Sequence, residues 1–141
     1  MKTGVKYTQV DYFKENNKLT CFLSWEIPYS FFGGKKVIMN NMKLFTQLDK
    51  IGFIKENSIS FQTFASSKLN KDDNYDEKFG KRLALTRAQR KAFKTSKRVY
   101  TLIYNTISKE LFEIDKLFNG CDYAVSKLTE HINNLIEEKY E

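Results

Sequence analysis

The spacing of apolar residues changes partway along the chain. Between Lys18 and Ile27, Leu19, Cys21, Leu23, Trp25 and Ile27 alternate with Thr20, Phe22, Ser24 and Glu26. A period of two sends alternate side chains to opposite faces, so this stretch reads as a strand with one face turned inward. Val5 to Phe13, with Val5, Tyr7, Val10 and Tyr12, is a second strand of the same kind. The "ENNK" segment, Glu15 to Lys18, is a turn signal that joins the two as a hairpin. Pro28 either ends the second strand or sits at an edge. Gly33 and Gly34 in "SFFGGKK" mark a further turn or loop. Asn40 and Asn41 are candidate caps for a short helix over Met42 to Ile51. Leu44, Leu48 and Ile51 recur there at helical spacing, and Gly52 follows as a stop. Ser58 to Ala65 returns to alternation, with Ile59, Phe61 and Thr63 on one face and Phe64 on the other.

Beyond the polar stretch "SSKLNKDDNYD" the spacing lengthens to three and four. A first helix is expected from the cluster Asp72, Asp73, Asn74, Asp76 and Glu77 to about Phe93. Acids and caps at its start would satisfy free N–H groups and complement the helix dipole. A second is expected over Val99 to Phe118, carried by Val99, Ile103, Ile107, Leu111, Ile114 and Phe118. A third is expected over Cys121 to Glu138. Its Ala124, Val125, Leu128, Ile132, Leu135 and Ile136 fall within an arc of about 120°. Asn119-Gly120 reads as a stop that folds the last two into an antiparallel hairpin. The fold class expected is α+β: a small, mostly antiparallel N-terminal sheet followed by a three-helix C-terminal half. The β-rich half is residues 1–68 and the helical half is residues 72–141, within a single domain of residues 1–141. A chain of this length can bury roughly two-thirds of its surface in one core. Its 41% hydrophobic and 15% aromatic content sets it apart from disordered chains.

Charge adds something the spacing does not. The net value is +7, but residues 78–109 carry ten basic groups and no acidic one, whereas residues 110–141 carry three basic and eight acidic. On a helical wheel Ala84, Leu85, Ala88 and Ala92 share one arc, and Arg87, Arg90, Lys91 and Lys94 share the opposite one. The alanines would let the helix approach its neighbour closely. Lys78, Lys81 and Arg82 sit nearer the alanine side. The bland reading of the basic arc is a solvated face. Against it, Arg87 and Lys91, and Arg90 and Lys94, repel at i, i+4, a few tenths of a kcal/mol each. Four of the nine basic residues between Lys78 and Arg98 are arginines, suited to bidentate phosphate or carboxylate recognition. The candidate binding residues are Arg82, Arg87, Arg90, Lys91, Lys94, Lys97 and Arg98, the last two extending positive charge past the expected helix end. Their partner would be a nucleic acid, a nucleoprotein, or the acidic C-terminal helix of the same or another copy, the latter giving a homodimer. Tyr29, Phe31 and Phe32 could stack bases, though core packing is the commoner use of such aromatics.

Candidate catalytic chemistry is sparse. His131 is the only histidine, and no Ser or Cys arrangement makes a triad with it. Asp72, Asp73, Asp76 and Glu77 have the composition of a metal cluster, but helix capping accounts for the same residues. Gly33-Gly34 lacks the Lys-Ser/Thr of a phosphate loop. The chain is therefore expected to be non-enzymatic, with no cofactor and no metal. Cys21 and Cys121 are far apart and are expected to be reduced, buried thiols of a cytoplasmic protein. No secretory signal and no membrane span is expected.

The segment "LNKDDNYDEKFGKRLALTRAQRKA", Leu69 to Ala92, resembles a motif of short accessory proteins of bacteriophages and prophages. In these an Asp-rich loop precedes a "G-K-x-x-A-L-x-R-A" helix, here Gly80, Lys81, Ala84, Leu85, Arg87 and Ala88. The Lys/Asn/Ile-rich composition is also similar to that of phages of low-GC Gram-positive hosts. The resemblance implies a host-cell binding protein of the anti-defence, anti-CRISPR type, acting by binding rather than catalysis. Basic members of that class contact guide RNA or the acidic faces of the nuclease.

Overall fold

A computed structural model describes residues 2–68 and 77–140 of the chain. The elements run β1 (Lys6–Glu15), β2 (Lys18–Pro28), a 3₁₀ turn (Tyr29–Phe32), α1 (Lys36–Met39), α2 (Met42–Asp49), β3 (Phe53–Ile54), β4 (Ser58–Lys68) and α3 (Glu77–Tyr140). The fold is α+β, and its sheet is antiparallel throughout, with strand order β1-β2-β4-β3.

The expected hairpin is β1 and β2, closed by Asn16 and Asn17 between the paired residues Glu15 and Lys18. Asn16 takes φ 53°, a left-handed conformation that asparagine tolerates better than other non-glycine residues. The register carries the alternation of β2 straight into β4. Leu19 pairs with Ser67, Cys21 with Ala65, Leu23 with Thr63, Trp25 with Phe61 and Ile27 with Ile59. Every β2 member of this set is buried, so these pairs form the inner face. Trp25 stacks on Phe61 with ring centroids 4.3 Å apart. The outer face carries Phe22 opposite Phe64, and Thr20 Oγ1 lies 2.9 Å from Ser66 Oγ.

Asn41 caps α2 as expected, its Oδ1 accepting from the Leu44 N–H at 2.9 Å, and Leu44 and Leu48 are buried. Gly52 is required for a different reason from a cap. A Cβ there would stand 2.5 Å from the Phe61 ring and 2.8 Å from the Ser60 carbonyl oxygen. Gly33 and Gly34 do turn the chain, with φ of 91° and 97°. The sequence reading omitted α1, the 3₁₀ turn and β3; each is four residues or fewer, too short for periodicity to register.

The three expected helices are one. α3 runs unbroken through Ser96 and through Asn119-Gly120. An Asn-Gly pair inside a helix costs only about 1–2 kcal/mol relative to alanines, which long flanking stretches can outweigh. The chain divides into two compact units, Met1–Ile103 and Tyr104–Glu141, and α3 contributes to both.

Within the first unit α3 buries Gly80, Ala84, Ala88, Ala92 and Ser96, one residue every fourth position, then Val99 and Ile103. With little or no side chain in the way, the helix backbone comes within reach of the sheet. Ser67 Oγ donates to the Gly80 carbonyl at 3.0 Å and Thr63 Oγ1 to the Ala88 carbonyl at 3.2 Å. Both strand residues belong to the inner face, so α3 covers that face. Tyr7 meets Phe93 edge-to-face at 6.5 Å, which brings β1 into the same packing. Tyr100 Oη donates to the Thr3 carbonyl at 2.9 Å and ties down the chain before β1.

Within the second unit every described residue from Lys109 onward is exposed. Cys121 is exposed there, which corrects the expectation of two buried thiols; Cys21 is buried, and both are free. Among the described residues no helix is long and apolar enough to cross a membrane.

Candidate polyanion interface

The seven candidate cations all lie on α3 within the first unit, and all are exposed. At 100° per residue, Arg87, Arg90, Lys91, Lys94, Lys97 and Arg98 share an arc of about 120° opposite the buried small-residue stripe. Arg82 falls outside that arc, on the flank that also carries Phe93, so it does not join the cluster.

The position of the arc follows from the burial of the other side. Once Ala84, Ala88 and Ala92 are pressed to the sheet, residues at the opposing helical positions must face water. Among the described residues no carboxylate lies within ion-pair distance of any of the seven. The ion pair nearest in sequence joins Lys81 to Glu77 at 3.9 Å. Asp72, Asp73 and Asp76 lie outside the described residues.

Two of the six clustered cations have a partner of another kind. Lys91 Nζ donates to the Phe64 carbonyl at 2.8 Å and lies 5.3 Å from the centre of the Phe64 ring. Arg87 Nη1 donates to the Ser66 carbonyl at 2.8 Å. β3 pairs with β4 only at Ser60 and Ile59, so beyond that point β4 borders no other strand on this side. Arg87 and Lys91 thus cap carbonyls along an open strand edge, a use of cations that discourages strand addition. Sequence reasoning missed this role because it depends on which sheet edge the helix lies beside.

The remaining four, Arg90, Lys94, Lys97 and Arg98, have no such anchor. Arg90, Lys94 and Lys97 rim a shallow depression of about 450 Å³ floored by Thr86, Gln89 and Phe93. Lys94 also borders a second depression of about 310 Å³, shared with Lys91, Thr95, Gln62, Thr63 and Phe64. The surface is therefore a row of cations with two shallow, open hollows beside it. It can hold successive phosphates or carboxylates; it offers no enclosed volume for a small substrate.

Other candidates come apart. Tyr29 is buried, donates its hydroxyl to the Lys55 carbonyl and meets Phe32 edge-to-face at 5.9 Å, so these two rings serve packing rather than stacking on bases. Phe31 is exposed, 5.8 Å from the Lys2 ammonium. His131 is exposed on the second unit. No three His, Cys, Asp or Glu side chains converge among the described residues.

Fold and surface together define an α+β protein that presents a cationic helix face. No protein-family profile matches the chain, and no curated protein or solved structure is significantly similar to it.

Proposed function

We propose that this is a non-enzymatic binding protein whose α3 engages the phosphates of a nucleic acid or nucleoprotein. The observation that carries the reading is the arc of six exposed cations at Arg87, Arg90, Lys91, Lys94, Lys97 and Arg98, with no carboxylate among the described residues to quench it. Cations held side by side at i, i+3 and i, i+4 repel, and a polyanion relieves that repulsion. The hollows beside the row are shallow, which favours backbone contact over base reading. The resemblance of Leu69–Ala92 to phage accessory proteins supports a nucleoprotein target inside a bacterial host, such as a CRISPR nuclease with its guide RNA.

The test is binding of the purified chain to duplex DNA, single-stranded RNA and a guide-loaded CRISPR nuclease across a salt series. Neutralising about five phosphates gives a log–log slope near −4.5 on duplex DNA. Changing Arg90, Lys94, Lys97 and Arg98 together to Glu leaves the β4 edge caps in place. That variant is expected to lose binding with an unchanged unfolding midpoint. Retained affinity in that variant sinks the reading. A pull-down from host lysate with and without nuclease treatment then separates nucleic acid from nucleoprotein.

A further inference from the structure

The second unit carries an unused surface of another character. Leu111, Phe118, Val125 and Ile132 are spaced by seven. Ile107, Ile114, Cys121, Leu128 and Leu135 form a second series spaced by seven, three residues after the first where both run. Together they are the a and d positions of a heptad repeat that continues through Asn119-Gly120 without a phase shift. The large apolar members from Leu111 to Leu135 are between 50% and 67% exposed.

The opposite side of the unit makes contacts of its own. The ion pairs Lys116–Glu113 and Lys127–Glu130, both 3.7 Å, lie at c and f positions. Lys116 over Phe112 at 4.5 Å and Lys127 over Tyr123 at 5.7 Å use b, c and f. Those positions point away from an a/d seam. That side makes its own contacts, while the a and d side chains, flanked by exposed Leu117 and Ile136, make none of these.

We infer that two copies of the chain associate through residues 107–138 as a parallel, in-register two-stranded coiled coil. A helix with a strict repeat of 3.5 keeps its apolar stripe in line only against another helix of the same period, and a second copy supplies one by symmetry. Covering the seam takes seven large, half-exposed apolar side chains of each copy out of water. Val125 with Leu128 and Ile132 with Leu135 have the β-branched a and leucine d that favour two strands. Leu111 with Ile114 reverses that order and by itself favours larger assemblies. The flanking acids decide against those. Among the e and g positions, Glu110, Asp115, Asp122 and Glu138 are acidic, the rest are Ser108, Leu117, Ala124, Thr129, His131 and Ile136, and no Lys or Arg offsets the acids, so each added strand multiplies their repulsion. Orientation follows from the same acids. In a parallel pair, Glu110 of one copy meets Asp115 of the other. An antiparallel pair would set Glu110 against Glu138 and Asp122 against its own copy, a larger repulsion.

A flank with four acids and no Lys or Arg gives this association a salt dependence opposite in sign to phosphate binding. Added salt screens the carboxylates and strengthens the dimer, whereas it weakens a polyanion complex. The experiment is sedimentation equilibrium of the full chain from 1 to 100 µM in low and high salt, with diamide oxidation as a second readout. The wild-type chain is expected to sediment as a dimer, more tightly in high salt. Diamide should join the two Cys121 thiols, which face each other across a parallel seam, and Cys121→Ser should abolish that cross-link. Leu128→Asp should give a monomer with the unfolding midpoint of the sheet unit unchanged. A wild-type monomer at 100 µM in both salts overturns the inference, as does a dimer that survives Leu128→Asp. A dimer in which Cys121 does not cross-link overturns the parallel, in-register arrangement. Leu128→Asp spares the cations of Arg90 to Arg98, and their reversal spares the seam, so either idea can fail alone.

Discussion

The two stretches of α3 solve opposite packing problems with one backbone geometry. From Gly80 to Ser96 the inward residues are small and recur every fourth position. From Ile107 to Leu135 the apolar residues are large and recur at an average of three and a half. Small residues at a spacing of four trace a ridge inclined to the helix axis, which lets a straight helix lie close against a twisted sheet. Large residues at three and a half trace a line that stays in place only beside another helix. Side-chain size and period together therefore state what each stretch of helix is meant to touch, where charge or hydrophobicity alone would not.

The most severe way to break the contrast is Ala88→Leu. The Ala88 carbonyl accepts from Thr63, so the helix cannot hold both a larger side chain and that distance. We expect a loss of about 3 kcal/mol or more in urea unfolding. The matching change in the second unit, Ala124→Leu, should move stability by less than about 0.5 kcal/mol, because Ala124 is exposed. If the two substitutions cost the same, the division of α3 is wrong.

Removing the edge caps comes next. Arg87→Met and Lys91→Met keep the aliphatic stems but leave the Ser66 and Phe64 carbonyls without those donors. Each should cost up to about 1 kcal/mol, since both sites are exposed to water. Double-mutant chevrons or equilibrium melts would show it. Gly120→Ala separates a continuous helix from a hairpin at the same position. In a helix it should stabilise by up to about 1 kcal/mol and raise helicity at 222 nm, because nothing lies within 4 Å of the added methyl. At a tight turn it would do neither.

The smallest effect is chemical. Burial pushes the Cys21 thiol up, with the Asp11 carboxylate adding to it, so Cys21 should resist iodoacetamide until the sheet unfolds. Exposed Cys121 should react at once. Burial also raises Tyr7, Tyr12, Tyr29 and Tyr100. A proton held more tightly in the folded state stabilises it below the unfolded pKa. That contribution fades as pH rises through the folded value. The first unit should therefore lose stability above about pH 9, modestly, since these groups are only partly shielded.

Much of the first unit was legible in the sequence. Alternation in Leu19–Ile27 located β2 and its inner face, the Asn cap located α2, and the Ala84, Ala88, Ala92 arc correctly foretold close helix packing. Length was the limit for α1 and β3. Of the two breaks expected in α3, the one at Asn119-Gly120 rests on local turn chemistry, which the continuous helix overrides. Phe118 and Cys121 keep the heptad phase across it, a long-range regularity that argues for continuity. The cationic cluster is legible as composition and, for Arg87, Arg90, Lys91 and Lys94, as wheel position; Lys97 and Arg98 join the arc only because α3 continues where the sequence suggests a helix end. The division of labour within it is not legible, because Arg87 and Lys91 owe their second role to a strand edge twenty-odd residues away.

That second role constrains any partner. A phosphate that captured Arg87 or Lys91 would have to leave the Ser66 or Phe64 carbonyl to water or to a foreign strand. Ligands that settle on Arg90, Lys94, Lys97 and Arg98 avoid that exchange. Ligands that reach further around the helix would leave β4 open to growth by templating, so occupancy of this face and resistance to fibre formation draw on the same two side chains.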